Sequence, residues 1–376
     1  MPIVPPVVAA ASPEVSLNNS LGSMAQIYGL QSLSTWHTRH GNADDGQKRN
    51  GTHYWVRGFG AQGSVDGGGL QAKGAKFDYS SGGGQAGMDT VVSRSDTTED
   101  RVGGYVSAGG MHSDVTHFNG LHAGRSSLDA YSVGAYWTRT STDGWYLDAV
   151  GQYTRYQDVK TASAQGINGQ TQGWGVAASL EGGKTIPINE SWAVEPQAQL
   201  VVQHNSLDEV RDSHLNTASL GSSDSVLGRL GGRLVRKWDQ DPSGVPGGTA
   251  WLRANLWHEF SGKSAATYQT ALGPVAYAAD LGGTWGELEL GVSATISPKA
   301  SIFGTVGYQR NLGGIHREAT TLSGGLNYGG AMTAGVGLSM QLTPNAKLTT
   351  NVSYANGPKG AVNSGLMVRT GLDLKW

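Results

Sequence analysis

Few residues in this chain are spaced as chemistry requires. GFGAQG, at residues 58–63, satisfies the glycine pattern of a dinucleotide-binding turn. That pattern works between a strand and a helix, where bare backbone can approach a pyrophosphate. Here it lies inside an alternating run and is read as strand. His37 with His40, and His112 with His117 and His122, bring imidazoles close in sequence. Neither set has the spacing of a helical zinc motif, and both are read as adventitious. No G-x-S-x-G elbow is present, and no Ser/His/Asp set or catalytic carboxylate pair can be assembled. Cysteine is absent, which excludes disulfides and thiolate metal sites. No catalytic residue, metal ligand or cofactor is therefore assigned, and the chain is expected not to be an enzyme.

A second set of charges has a different logic. Glu195 and Gln197, Arg229 and Arg233, then Arg253, Asn255 and Glu259, then Glu287 and Glu289 each fall at every second or fourth position of an alternating segment. Apolar residues occupy the positions between them, as in GELELGVSATI, where Leu288, Leu290, Val292, Ala294 and Ile296 oppose Glu287 and Glu289. Period two puts the two sets on opposite faces of a strand. The charged faces are read as a lumen and the apolar faces as a lipid-facing surface.

Composition narrows the class. The net charge of −2 and pI near 6.5 lack the basic footprint of nucleic-acid binding. No apolar run is long enough to cross a bilayer as a helix. Tryptophan (11) and tyrosine (14) far outnumber phenylalanine (5), favouring rings with a polar handle. MPIVPPVVAAASPE lacks the basic start of a signal peptide and reads as a proline-rich linker over residues 1–16. Residues 17–40 place Leu21, Met24, Tyr28, Leu33 and Trp36 at spacings of three to five, predicting a moderately amphipathic helix weakened by Gly22 and Gly29. A polar loop follows over 41–51. From residue 52 to 376 alternation replaces helical periodicity, in fourteen segments.

The connections alternate between short turns (STDG, PINES, SPKA, TPNA) and longer polar stretches near 158–170, 207–222, 263–283 and 313–319. This predicts an all-β fold, a transmembrane up-and-down antiparallel β-barrel in an outer membrane. A closed barrel pairs every backbone group in the bilayer without an exposed edge. Trp137, Trp145, Trp192, Trp238 and Trp251 lie at the short-turn ends, and Trp174 and Trp285 at the long-loop ends. They are read as two interfacial girdles. GLMVRTGLDLKW would close the barrel against the first strand, with Trp376 at the interface. A soluble β-sandwich adhesin alternates too, but rarely sets so much Gln, Glu and Arg on one face.

YWVRGFGAQ, FDYSSGGGQAGMDTVV, WYLDAVGQYTRY, VEPQAQL, LGRLGGRL, LRANLWHEFSG and LGGTWGELELGVSATISPKASIFGTVGYQ occur in an order that resembles the translocator domain of classical monomeric autotransporters of the pertactin type. The resemblance covers roughly residues 17–312. It implies type V secretion: a barrel with an α-helix in its pore and a passenger upstream that it exports to the cell surface. It also implies insertion by the barrel-assembly machinery, which reads a closing strand such as Leu372, Leu374 and Trp376. Outer-membrane lipids and the chain's own passenger are the other expected partners, and the protein is expected to be a monomer. The charged wall would then grip the helix and pass unfolded polypeptide. A diffusion porin remains the alternative.

Two departures stand out. The family's barrels have twelve strands, and LSGGLNYGG resembles their closing strand, yet the chain continues. GVSATISPKASIFGTVGY (291–308) and GLSMQLTPNAKLTTNVSY (337–354) share several positions, so residues 313–376 are read as including an added hairpin, for fourteen strands. Some relatives cut the passenger free at an asparagine of the pore helix. Asn18–Asn19 lies near the helix start and is read instead as an N-cap.

Overall fold

The computed structural model describes residues 12–41, 51–69, 74–214, 216–239, 247–270, 273–297, 300–329, 332–343, 346–356 and 365–374. Its wall comprises β1 (Thr52–Gly69), β2 (Gly74–Arg94), β3 (Thr98–Thr116), β4 (His122–Ser141), β5 (Trp145–Ser163) and β6 (Asn168–Lys184). It continues with β7 (Trp192–Leu207), β8 (Ser222–Trp238), β9 (Gly248–Glu259), β10 (Gly283–Ser297), β11 (Ala300–Gly314) and β12 (His316–Gly329). Each pairs antiparallel with the next. β12 then returns to β1 without a register break, from His53 opposite Gly329 to Asp66 opposite His316. Twelve long strands thus form a closed ring.

The alternation sorts the faces as charge and hydropathy require. Leu252, Leu256, Leu288 and Leu290 point outward, Leu290 being 58% exposed, while Arg233 is 2% exposed. Inside the ring runs α1 (Pro13–Ser32), followed by the five-residue turn α2 (Trp36–His40). The long loops carry short strands: Val210–Asp212 and Thr217–Ser219 in one, and the hairpin Lys263–Thr270 with Gly273–Asp280 in another. Ala218 pairs with Tyr268 and ties the two loops together over one mouth. Asp212 braces the first loop by accepting from the His214 and Asn216 N–H groups and the Asn216 side chain. Partial burial raises its carboxyl pKa, but these bonds prevail and hold it below the ordinary value. The connection read as long at 313–319 is short instead, with β11 ending at Gly314 and β12 starting at His316.

The end of the chain departs from expectation. The segment read as one strand over 320–342 divides into β12 and β13 (Met332–Thr343). β13, β14 (Ala346–Asn356) and β15 (Gly365–Leu374) form a separate three-stranded sheet. Leu372 and Leu374 lie in β15 opposite Leu348 and Ala346, and Trp376 lies outside the described residues. The strand that closes the ring is β12, not the last one. Antiparallel closure explains why: it needs an even strand number, and β15 would run parallel to β1 if all fifteen entered one wall.

The added segment is also larger than a hairpin. Ser297 opposite Ala300, Ala294 opposite Ile302 and Ile302 opposite Leu326 recur as Thr343–Ala346, Met340–Leu348 and Leu348–Leu372, each number raised by 46. The irregularity between Thr295 and Ser297 recurs between Gln341 and Thr343. β13–β15 therefore repeat β10–β12 strand for strand.

Candidate functional site

The site is the lumen, and it is built in two storeys. Toward the long-loop mouth the inner wall is apolar: Phe77, Tyr79, Met111, Leu128, Tyr156 and Val159 pack on Leu17, Leu21, Met24, Ile27 and Tyr28 of the helix. α1 is consequently buried on all sides, polar Ser16, Asn19, Ser20, Ser23 and Gln26 included. It is not the amphipathic helix read from the sequence, because a lumen surrounds it and leaves no solvent face to mark.

α1 also begins earlier than expected. Pro13 stands at its first turn, where a fixed φ and missing N–H cost nothing. The N-cap is Ser12, so Asn18 and Asn19 lie inside the helix rather than capping it. Asn18 donates to the Tyr268 hydroxyl at 2.6 Å, and Asn19 donates to the carbonyls of Tyr277 and Ala278 while accepting from the Ala75 N–H. Both anchor the helix to the mouth. Gly22, read only as a weakness, admits the wall: a Cβ there would stand 2.7 Å from that of Ser264.

α1 ends with no basic residue in its last turn. The wall supplies the compensation. Gln85 donates to the Ser32 carbonyl, and Arg57 donates through Nε to the Gln85 amide oxygen at 3.0 Å, setting a cation beside the carbonyl end of the helix. Gln152 holds the Ser32 hydroxyl at 2.9 Å. The chain then extends through Leu33, and Thr35 caps α2 through a reciprocal bond pair with Thr38. The predicted continuous helix over 17–40 is thus two helices with a break at 33–35.

Around α2 the lumen is charged. Asp148 accepts from the Trp36 N–H at 3.0 Å and from the Arg39 guanidinium, which lies 3.8 Å above the Tyr136 ring. His37 Nε2 meets Glu195 at 2.7 Å, and His40 approaches Asp89 at 3.3 Å. These histidines, read from the sequence as adventitious, lie against carboxylates of the wall. Neighbouring pairs complete it: Arg229 with Glu181 at 2.9 Å, Arg253 with Glu289 at 3.2 Å, and Arg101 with Asp89 at 2.8 Å. Such matching offsets much of the cost of burying carboxylates and guanidinium groups. A vestibule of about 1130 Å³, with His37, His40, Arg101 and Glu195 among its walls, opens at the short-turn rim.

The sequence-assigned residues lie as follows. Leu21, Met24, Tyr28, Leu33 and Trp36 are buried in the lumen. Glu195, Gln197, Arg229, Arg233, Arg253, Asn255 and Glu259 are buried on the inner face, and Glu287 and Glu289 are half-buried there. Glu287 accepts from Asn255 and Trp257, both at 2.8 Å. Glu259 accepts from the Ser225 hydroxyl at 2.6 Å.

Trp137, Trp145, Trp174 and Trp238 are half-buried, and Trp192 is exposed. Trp251 and Trp285 are not girdle residues. Trp251 donates to Glu289 at 3.0 Å under the Arg233 guanidinium, and Trp285 stacks on Trp257 at 5.9 Å. The reason is parity: Trp251 shares the face of Arg253, and Trp285 that of Glu287. Asp89, Arg101, Asp148 and Glu181 were not singled out, although Asp148 alternates with Leu147 and Ala149 as an inward residue should.

A charged ring closed around a helix, with an apolar outer belt, defines an outer-membrane barrel whose pore is occupied by its own chain. Comparison with known proteins supplies the family. The model for the autotransporter β-domain matches residues 54–307, and the chain belongs to that family. It is 30% identical over 264 residues to the pertactin autotransporter of Bordetella bronchiseptica, covering 68% of this chain and 26% of the relative. The chain thus spans about a quarter of that curated relative's length.

Among solved structures, the transport unit of AIDA-I from Escherichia coli superposes with a TM-score of 0.66 at 16% identity, over 85% of this chain and 99% of that one. The β-domain of the Bordetella autotransporter BrkA gives 0.56 at 22%, over 74% and 99%. The chain is an autotransporter translocator domain of the Gram-negative outer membrane, with a secretion function. Its short turns accordingly face the periplasm and its long loops the exterior.

Proposed function

We propose that this barrel exports a passenger joined upstream of α1 and afterwards retains residues 12–41 as a plug. The observation that carries the reading is the helix itself, buried on every side, anchored at its start mainly by the mouth hairpin and at its end by wall residues. A diffusion porin has no use for a chain segment that fills its lumen. Outer-membrane lipids would contact the outward leucines and valines, the barrel-assembly machinery would insert the domain, and a single barrel would serve each passenger. Among the described residues none is arranged as a nucleotide site, and folding of the passenger outside would supply the outward drive.

The helix suits this sequence of events. It is rich in serine, asparagine and glycine, residues that favour caps and turns over helix interiors, so it owes its helicity to the wall. It can therefore pass as extended chain first and fold in place later. The test is a reporter peptide fused before residue 1. External protease should cleave it on intact cells; a reporter that stays protected while the barrel sits in the outer membrane contradicts the proposal.

A further inference from the structure

We propose that Asp148 is the positioning residue by which the pore distinguishes its folded plug from polypeptide in transit; the inference rests on the plug reading above. The two storeys hold the chain by different means. Around α1 the named polar contacts use neutral donors such as Asn18, Asn19 and Tyr156, the last giving its hydroxyl proton to the Ala25 carbonyl at 3.1 Å. Around α2 they end on carboxylates, and that of Asp148, paired with Arg39, is their centre. One oxygen accepts from the backbone N–H of Trp36, and the other from the Arg39 guanidinium and the Thr138 hydroxyl. The first is a main-chain group at the start of α2 and the second a side chain from its last turn.

Geometry makes that pair of contacts conditional. In extended chain, residues three apart are separated by about 10 Å. The helical turn brings the N–H of residue 36 and the side chain of residue 39 onto one carboxylate without stretching either. Arg39 is held in the same turn by its bond to the Ser34 carbonyl at 2.7 Å, and Tyr136 flanks the guanidinium. Asp148 therefore reads the conformation of the segment rather than its charge alone. An unfolded passenger carrying an occasional arginine can meet Asp148, but fixing a second donor beside it costs conformational entropy that the folded turn has already given up. The wall thus stays slippery to moving chain and becomes adhesive once residues 36–40 coil. His37 with Glu195 and His40 with Asp89 add side-chain contacts to the same turn, yet neither brings in a main-chain group.

The experiment is single-channel recording of the full chain in planar bilayers, with Asp148→Asn, Arg39→Gln, the double variant and a chain lacking residues 12–41. Each single variant should raise the fraction of time spent conducting ~100-fold, the order implied by loss of one partner of a buried ion pair. The double variant should add little, since both substitutions break one contact. Arg39→Gln leaves the wall untouched, so it remains informative should Asp148→Asn fail to fold. Heat-modifiable migration on gels, unchanged in each variant, separates seating of the plug from folding of the barrel. Variants as closed as the parent, or effects that simply add, overturn the role of Asp148. If the deletion itself fails to open the pore, the plug reading falls instead, and the two failures are told apart.

Discussion

At the scale of single residues, face assignment is the claim most open to attack. Leu290 and Glu289 are neighbours in β10, one toward lipid and the other bonded to Trp251 and Arg253. Arginine at Leu290 should cost about 2–4 kcal/mol near the bilayer midplane. Arginine at Glu289 should cost less, since it stays in the hydrated lumen, although it meets Arg253. Urea titration of both variants in lipid vesicles checks this, and equal penalties would contradict the register. Parity made these positions legible, because every second residue of GELELGV changes character. The same parity places Trp251 and Trp285 inward, and it was overridden there by the expectation that tryptophans at strand ends form girdles. The wall contacts of α2 were not legible: nothing in WHTRH says that Asp148 and Glu195, more than a hundred residues away, face it.

Among elements, the helix is where sequence and structure differ most. Leu21, Met24 and Tyr28 marked a helix, but the break at 33–35 and the start at Pro13 depend on the wall, through Gln85, Asp148 and the Thr35 cap. Those partners lie far along the chain and leave no local trace. Two outcomes follow. A cysteine at Tyr28, in a chain that has none of its own, should react slowly with a bulky aqueous maleimide. Adding Gly22→Val should make it react fast, because the new side chain meets Ser264 and unseats α1. Rapid labelling without the valine would place the helix outside the pore.

For the whole molecule, alternation and turn lengths made the up-and-down barrel legible, but not where it closes. β12 and β15 alternate equally well, and only pairing with β1 chooses between them. The repeat at an interval of 46 residues explains the ambiguity: the chain carries its closing unit twice. A chain ending at Gly329 should therefore still refold in detergent to a heat-modifiable barrel. Loss of that form would mean β13–β15 are integral to the wall. Delivery of the shortened chain to the outer membrane in cells tests separately whether the terminal strand, with Trp376, is an assembly signal.

The plugged translocator is tested most directly by conductance of the purified domain with and without residues 12–41, in the same bilayer and at the same salt. The intact chain should be closed for most of the record, and the deleted chain should hold a stable open level. Equal, continuous conductance from both would contradict the account, leaving a porin with a helix that blocks nothing.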